Sequence, residues 1–123
     1  MSARTLGVAA AALLLFSTSS LAAGDVAAGQ NVAVQCAACH SFVQGKNKIG
    51  PSLFGVVGRK AGTVPNFAYS QAMKNSGIVW TTDQLDLYLN GPKAMVLGNQ
   101  MGHAGVSKAD ARANLIAYLA TLK

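Results

Sequence analysis

Residues 36–40 read Cys-Ala-Ala-Cys-His, and no other stretch restricts the chain as strongly. Cys36 and Cys39 are the only cysteines, and His40 is one of two histidines. C-x-x-C-H is the pattern of covalent haem attachment. The spacing has a physical reason. On one helical turn, positions i, i+3 and i+4 lie on neighbouring parts of one face. Two thiols so spaced can bond the two vinyl groups along one side of a porphyrin, and the imidazole on that face can reach the iron. A bare C-x-x-C also suits a thioredoxin-like redox pair, but that needs a βαβ context, which this chain lacks. A zinc site would call for a second C-x-x-C, and no further cysteine exists to form one.

The address agrees with that chemistry. Arg4 precedes an apolar run from Leu6 to Phe16, followed by small residues up to Ala22 and Ala23. This is the pattern of a secretory signal peptide over residues 1–22, with cleavage after Ala22 or Ala23. The run is short for a membrane span, and no later stretch is long and apolar enough to cross a bilayer. Residues 23–123 are then one domain of modest size, in which a large apolar cofactor supplies much of the core. Export also suits c-type haem, which is attached outside the cytoplasm, and leaves no thiol for a disulfide. Ten basic residues against four acids, with a net charge of +6, point to an acidic partner. Nucleic acid fits poorly: the chain is exported and has no Arg-rich run or aromatic-basic stripe.

Along the chain, the expected elements are helices joined by long loops. Asp25 can cap a helix running towards Cys39, in which Gly29 marks a close approach by another helix. Gly50-Pro51 marks a sharp change of direction. Residues 52–69 hold too many Gly and Pro for regular structure, and such a stretch suits wrapping a flat cofactor. A short helix is expected over Ser70–Asn75. Another follows Thr81, with Gln84 three positions on, and ends at Gly91-Pro92. Residues 93–106 read as a second loop. Ser107, with Asp110 three positions later, reads as the start of the last helix, whose apolar stripe is Ala111, Leu115, Ile116, Leu119 and Leu122. No stretch has convincing strand alternation, so the fold class is all-α.

A histidine-ligated haem chooses its function largely through the sixth iron position. Met73, Met95, Met101 and His103 are the candidates. Met101 lies in a Gly-flanked loop between the two C-terminal helices, whereas Met73 and Met95 lie in helix-like segments where packing is the default role.

From about Gly24 to Leu122 the chain resembles class I cytochrome c, most of all the bacterial cytochrome c2 and mitochondrial type. The matching pieces, in order, are Cys36-Ala37-Ala38-Cys39-His40, Gly50-Pro51-Ser52-Leu53, Gly58-Arg59-Lys60, Phe67-Ala68-Tyr69, Gly77-Ile78-Val79-Trp80, Tyr88-Leu89, Gly98-Asn99-Gln100-Met101 and Leu115-Ile116-Ala117-Tyr118-Leu119. The resemblance implies a cytochrome c fold. Its N- and C-terminal helices cross, with Gly29 letting the first pass the last near Leu115 and Tyr118, and short helices and loops wrap one covalent haem c. It implies Cys36 and Cys39 as attachment residues, with His40 and Met101 as axial ligands of the iron. It implies that the Pro51 carbonyl accepts from His40, that Tyr88 donates towards the Met101 sulfur, and that Arg59, Tyr69 and Trp80 surround a haem propionate. Departures from the family pattern fall at His103, where an aromatic is usual, at Met73, where Asn is frequent, and at Gln100, where Lys is common.

The implied function is a soluble, monomeric, periplasmic carrier of single electrons, not an enzyme. Its partners would be redox proteins with acidic docking surfaces: a quinol–cytochrome c reductase, an oxidase, a photosynthetic reaction centre or a dehydrogenase. Lys46, Lys48, Lys93 and Lys108 are the candidate docking rim. The rival readings are an open-site haem enzyme or gas sensor, and a fixed haem subunit of a larger oxidoreductase.

Overall fold

The computed structural model describes residues 1–14 and 24–123. Residues 1–14 have no regular secondary structure, and the expected cleavage positions at Ala22 and Ala23 lie outside the described residues.

Asp25 opens the first helix, α1 (Val26–Ala33), its carboxylate accepting from the backbone N–H of Ala28 at 3.0 Å. An N-cap carboxylate satisfies a donor that the helix itself leaves free. The helix does not run on to Cys39. After Ala33 the bonds shorten in register: Cys36 N donates to Ala33 O at 2.9 Å and Cys39 N to Cys36 O at 3.1 Å. Such i to i+3 bonds tighten the chain into single turns. His40 N also donates to Cys36 O at 2.9 Å, so residues 36–40 still close one hydrogen-bonded turn.

Two short stretches and two longer helices follow. Ser70 caps α2 (Gln71–Lys74) through a 3.1 Å bond from Met73 N, and Thr81 caps α3 (Thr82–Asn90) through a 3.2 Å bond from Gln84 N. Leu85 and Tyr88 are buried on α3, and Leu89 is half-buried. Gly91 ends α3, but Pro92 starts another turn, α4 (Pro92–Met95), so the loop expected from residue 93 begins only after it. Proline suits a first helical position because it has no N–H to leave unpaired.

The last helix, α5 (Ala109–Leu119), corrects one sequence expectation. Its N-cap is Lys108, with no side-chain cap bond. Ser107 does not cap it, and Asp110 instead accepts from its neighbour Ala111 N at 2.9 Å. The reason lies in Arg112. Its Nη1 donates to Ser107 O at 2.8 Å and Val106 O at 3.1 Å, and its Nε donates to Asp86 on α3 at 2.8 Å. The guanidinium draws the entering backbone carbonyls inward, which leaves the Ser107 side chain outside the cap position. Arg112 is buried on the same stripe as Leu115, Ile116 and Leu119, four and three positions apart.

α1 crosses α5 at a point where a side chain cannot fit. A Cβ on Gly29 would overlap the Asn114 carbonyl and come within 2.9 Å of Tyr118 Cβ. Gly24 likewise sits against the Ala113 backbone. Asn114 returns the contact by accepting from Asp25 N at 2.8 Å. The core gathers Ala33, Val56, Ala61, Trp80, Leu85, Val106, Leu115, Ile116 and Leu119. Among the described residues no strand forms, and the only sheet-like pairing is an isolated antiparallel bridge between Lys60 and Val79. The architecture is all-α, with the first and last helices packed across each other and shorter helices and loops between them.

Candidate functional site

The helices and loops enclose a cavity of about 550 Å³, within the roughly 300–1,000 Å³ usual for cofactor sites. Its walls include Leu53, Val56, Leu85, Leu89, Leu115 and Leu119. Every candidate site residue lines it: Cys36, Cys39, His40, Pro51, Arg59, Tyr69, Trp80, Tyr88 and Met101. His103 and Met73 line it too, and Met95 does not.

The Cys36–His40 turn forms one wall. Both thiols are free, with Cys36 half-buried and Cys39 exposed. Burial, reinforced by Cys39, pushes the Cys36 thiol up. His40 Nδ1 lies 2.7 Å from the Pro51 carbonyl oxygen. A carbonyl only accepts, so Nδ1 carries the proton and Nε2 keeps its lone pair. Burial lowers the His40 pKa, the Pro51 bond opposes it, and the Arg59 and Lys48 charges add to the lowering. Gly50 lies flat against the ring: a Cβ there would fall 2.5 Å from Cε1. Lys48 Nζ donates to Ala37 O at 2.5 Å and ties the following loop back onto the attachment turn.

The opposite side of the chain brings Met101. Its backbone N–H donates to Asn99 Oδ1 at 2.9 Å, Asn99 Nδ2 donates to the Tyr88 hydroxyl at 2.7 Å, and that hydroxyl lies 3.7 Å from Met101 Sδ. The Tyr88 ring is fixed from behind by Trp80, with centroids 4.8 Å apart. Burial raises the Tyr88 phenol, and the Asn99 bond partly offsets this. His103 bridges the loop to the attachment turn. Its Nδ1 accepts from Gly105 N at 2.9 Å, which leaves Nε2–H to donate to Gln35 Oε1 at 2.8 Å.

Arg59 and Trp80 enter the cavity together because their backbones pair: Trp80 N donates to Arg59 O at 2.8 Å and Gly58 N to Trp80 O at 2.7 Å. Arg59 Nη1 donates to Ser52 O at 3.0 Å and Phe54 O at 3.1 Å, which leaves other N–H groups unspent. Burial lowers its pKa, opposed by Tyr69. Among the described residues the one salt bridge is Arg112 to Asp86, so this half-buried cation has no carboxylate beside it. The Tyr69 hydroxyl accepts from Val64 N at 3.0 Å and keeps its own hydrogen to give.

These features fit a haem. The apolar slot suits a porphyrin face, two free thiols stand at one edge, an imidazole lone pair and a thioether line the same space, and Arg59 and Tyr69 offer donors to a carboxylate. Sequence reasoning did not single out Asn99, Gln35 or Arg112. Asn99 had a signal, since asparagine commonly bonds the backbone two residues on. Arg112 had one as well, in its register on the apolar stripe.

Known proteins agree with this architecture. The family model described as cytochrome c matches residues 26–123. A cytochrome c2 from Rhodopila globiformis is 50% identical over 88 residues, covering 72% of this chain and 83% of that one. A cytochrome c2 from Agrobacterium tumefaciens is 48% identical over 100 residues, covering 78% and 90%. The solved structure of cytochrome cH from Methylobacterium extorquens superposes with a TM-score of 0.76 at 43% identity, covering 80% of this chain and 99% of that one. A cavity with this lining, in a chain that the family model spans from α1 to the last residue, has one account: the protein belongs to the cytochrome c family and carries one covalently attached haem c.

Proposed function

We propose that the chain is an exported, soluble carrier that moves single electrons between other redox proteins and makes or breaks no bond in a substrate. Electron transport through a c-type haem follows from the family; the residue roles, the partners and the address are our reading. In it, Cys36 and Cys39 hold the haem, and His40 and Met101 close the iron. When bound, the haem would supply an Fe(II)/Fe(III) couple, whose potential a methionine ligand would raise. Pro51 holds His40 in the tautomer that presents Nε2. Tyr88 donates to the Met101 sulfur, and Arg59, Tyr69 and Trp80 serve a propionate. The apolar walls would keep water from a bound haem, so that a change of oxidation state would call for little rearrangement of solvent.

The observation that carries this reading is the pairing of His40 and Met101 in one apolar cavity, each held by its own hydrogen bonds. Residues 1–22 are read as the export signal, which puts the carrier in the periplasm. No helix among the described residues is long and apolar enough to cross a membrane. Lys46, Lys93 and Lys108 are exposed and suit a rim for an acidic partner, while Lys48 is partly engaged with Ala37. The decisive measurement is the near-infrared spectrum of the oxidised protein. A weak sulfur-to-iron band is expected, and it is lost in Met101→Ala. A wild-type protein without the band would have an open or differently ligated iron, and the carrier reading would give way to the open-site enzyme or sensor.

A further inference from the structure

We propose that Asn99 is a positioning residue, whose side-chain amide turns the Tyr88 hydroxyl hydrogen onto the Met101 sulfur. The argument rests on which atoms can donate. The backbone N–H of Met101 only donates, and it lies 2.9 Å from one end of the Asn99 side chain. That end is therefore the carbonyl Oδ1, so the usual ambiguity in orienting an amide is removed here. The other end is then the NH₂ group, and it faces the Tyr88 oxygen at 2.7 Å. An amide NH₂ has no acceptor capacity, so the Tyr88 oxygen accepts from it. The hydroxyl's own hydrogen is left to point elsewhere, and Met101 Sδ, 3.7 Å away, is the acceptor in reach.

The surroundings leave few alternatives. Trp80 packs on the Tyr88 ring at a centroid distance of 4.8 Å and holds its position. Met73, the other thioether on the cavity wall, makes no hydrogen bond with the Tyr88 hydroxyl, whose sulfur partner is Met101. Asn99 thus has two arms. One caps the backbone of the residue that carries the thioether, and the other sets the direction of the hydrogen bond to that thioether. A hydrogen bond to a ligand withdraws electron density from it, and hydrogen bonds around the ligands are a main control of haem potential. An O–H dipole with its positive end towards the sulfur that holds the iron would favour Fe(II) over Fe(III) and raise the potential.

This inference rests on Met101 as the second ligand of the iron. The test separates the two arms. Asn99→Ser keeps a side-chain oxygen able to accept from Met101 N–H, since serine makes the same turn as asparagine, but it is too short to reach Tyr88. Its potential is expected to fall, with the near-infrared sulfur-to-iron band retained. Tyr88→Phe is expected to lower the potential as well, and Asn99→Ser added to Tyr88→Phe is expected to lower it no further. An Asn99→Ser potential equal to the wild-type value, or an equal fall in the Tyr88→Phe background, overturns the proposal. A second measurement needs no variant. In the reduced wild-type protein, the Tyr88 hydroxyl proton is expected to show nuclear Overhauser contacts to the Met101 methyl, and their absence overturns the proposal. Loss of the near-infrared band in the wild-type protein overturns Met101 ligation itself, whereas a normal band without an Asn99-dependent shift overturns only the positioning role.

Discussion

His40 Nδ1 lies 2.7 Å from the carbonyl oxygen of Pro51, and Gly50, the residue before that proline, lies flat against the imidazole ring. The φ angle of Gly50 is not in the left-handed region, so its backbone alone does not demand glycine. The ring demands it. Gly50→Ala would put a Cβ 2.5 Å from Cε1, 2.7 Å from Nδ1 and 2.9 Å from Nε2. Either the loop moves or the imidazole leaves its bond to Pro51. Overpacking of this kind costs about 1–3 kcal/mol. Guanidinium unfolding of the holoprotein is expected to show a stability lower by that amount, seen as a lower midpoint at unchanged slope. A midpoint equal to wild type would mean that His40 shifts at no cost.

Haem removal should unfold the chain. The cavity occupies about 550 Å³. Without the haem, Leu53, Val56, Leu85, Leu89, Leu115 and Leu119 lose the apolar group that they pack against, and a domain stable by only about 5–15 kcal/mol cannot absorb the loss of a large part of its core. The double variant Cys36→Ala/Cys39→Ala, purified without haem, is expected to lose most of its circular dichroism at 222 nm. Retained helical signal with a cooperative thermal transition would show that the polypeptide core suffices by itself.

Arg112→Leu tests what holds the root of the Met101 loop. The guanidinium serves Asp86 on α3 and the Val106 and Ser107 carbonyls of the loop. Asp86 has a side chain 46% exposed, so water can replace its partner. The loop carbonyls lose more, at about 1–3 kcal/mol for each one left buried and unsatisfied. A loss of about 2–4 kcal/mol is expected in chemical denaturation. Arg112→Lys should not restore it, because an ammonium cannot fork to these acceptors as a guanidinium does. Full recovery by lysine would reduce the role of Arg112 to charge alone.

Docking should depend on salt. If Lys46, Lys93 and Lys108 face an acidic partner, raising ionic strength from about 0.01 to 0.15 M shortens the Debye length from about 30 to 8 Å. The second-order rate with an acidic redox partner should then fall by about tenfold or more. Lys93→Gln is expected to slow association at low salt and leave stability unchanged. Lys48→Gln is expected to lower stability as well, because it removes the bond to Ala37. A rate that does not change with salt would remove the basic rim from the docking surface.

Much of the site was legible because it is written locally. Attachment chemistry needs two thiols and an imidazole on one turn, and residues 36–40 contain them in five consecutive positions. The caps at Asp25, Ser70 and Thr81 could be read because an N-cap bonds a backbone N–H only a few positions away. The end of α1 was less legible, since the switch to i to i+3 bonds after Ala33 is not marked by any single breaker.

What remained hidden is what distant residues decide. Ser107 has the composition of a cap, yet the chain enters α5 through Lys108 because Arg112 pulls the Ser107 carbonyl towards α3. Asn99 could be read as a turn residue, but its reach to Tyr88, eleven positions earlier, depends on how α3 packs against the loop. His103 meets Gln35 across sixty-eight positions.

The sequence by itself determined the cofactor and the all-α class, because covalent attachment depends on residue type and short spacing, whereas His40 and Met101 as the pair to hold the iron were what the family resemblance implied. Only the tertiary structure decided which further residues hold those groups in place. The reach of Asn99 to Tyr88, the link of His103 to Gln35 and the hold of Arg112 on the loop before α5 follow from which donor meets which acceptor, and hydrogen-bond direction exists only between groups that the fold has already brought together.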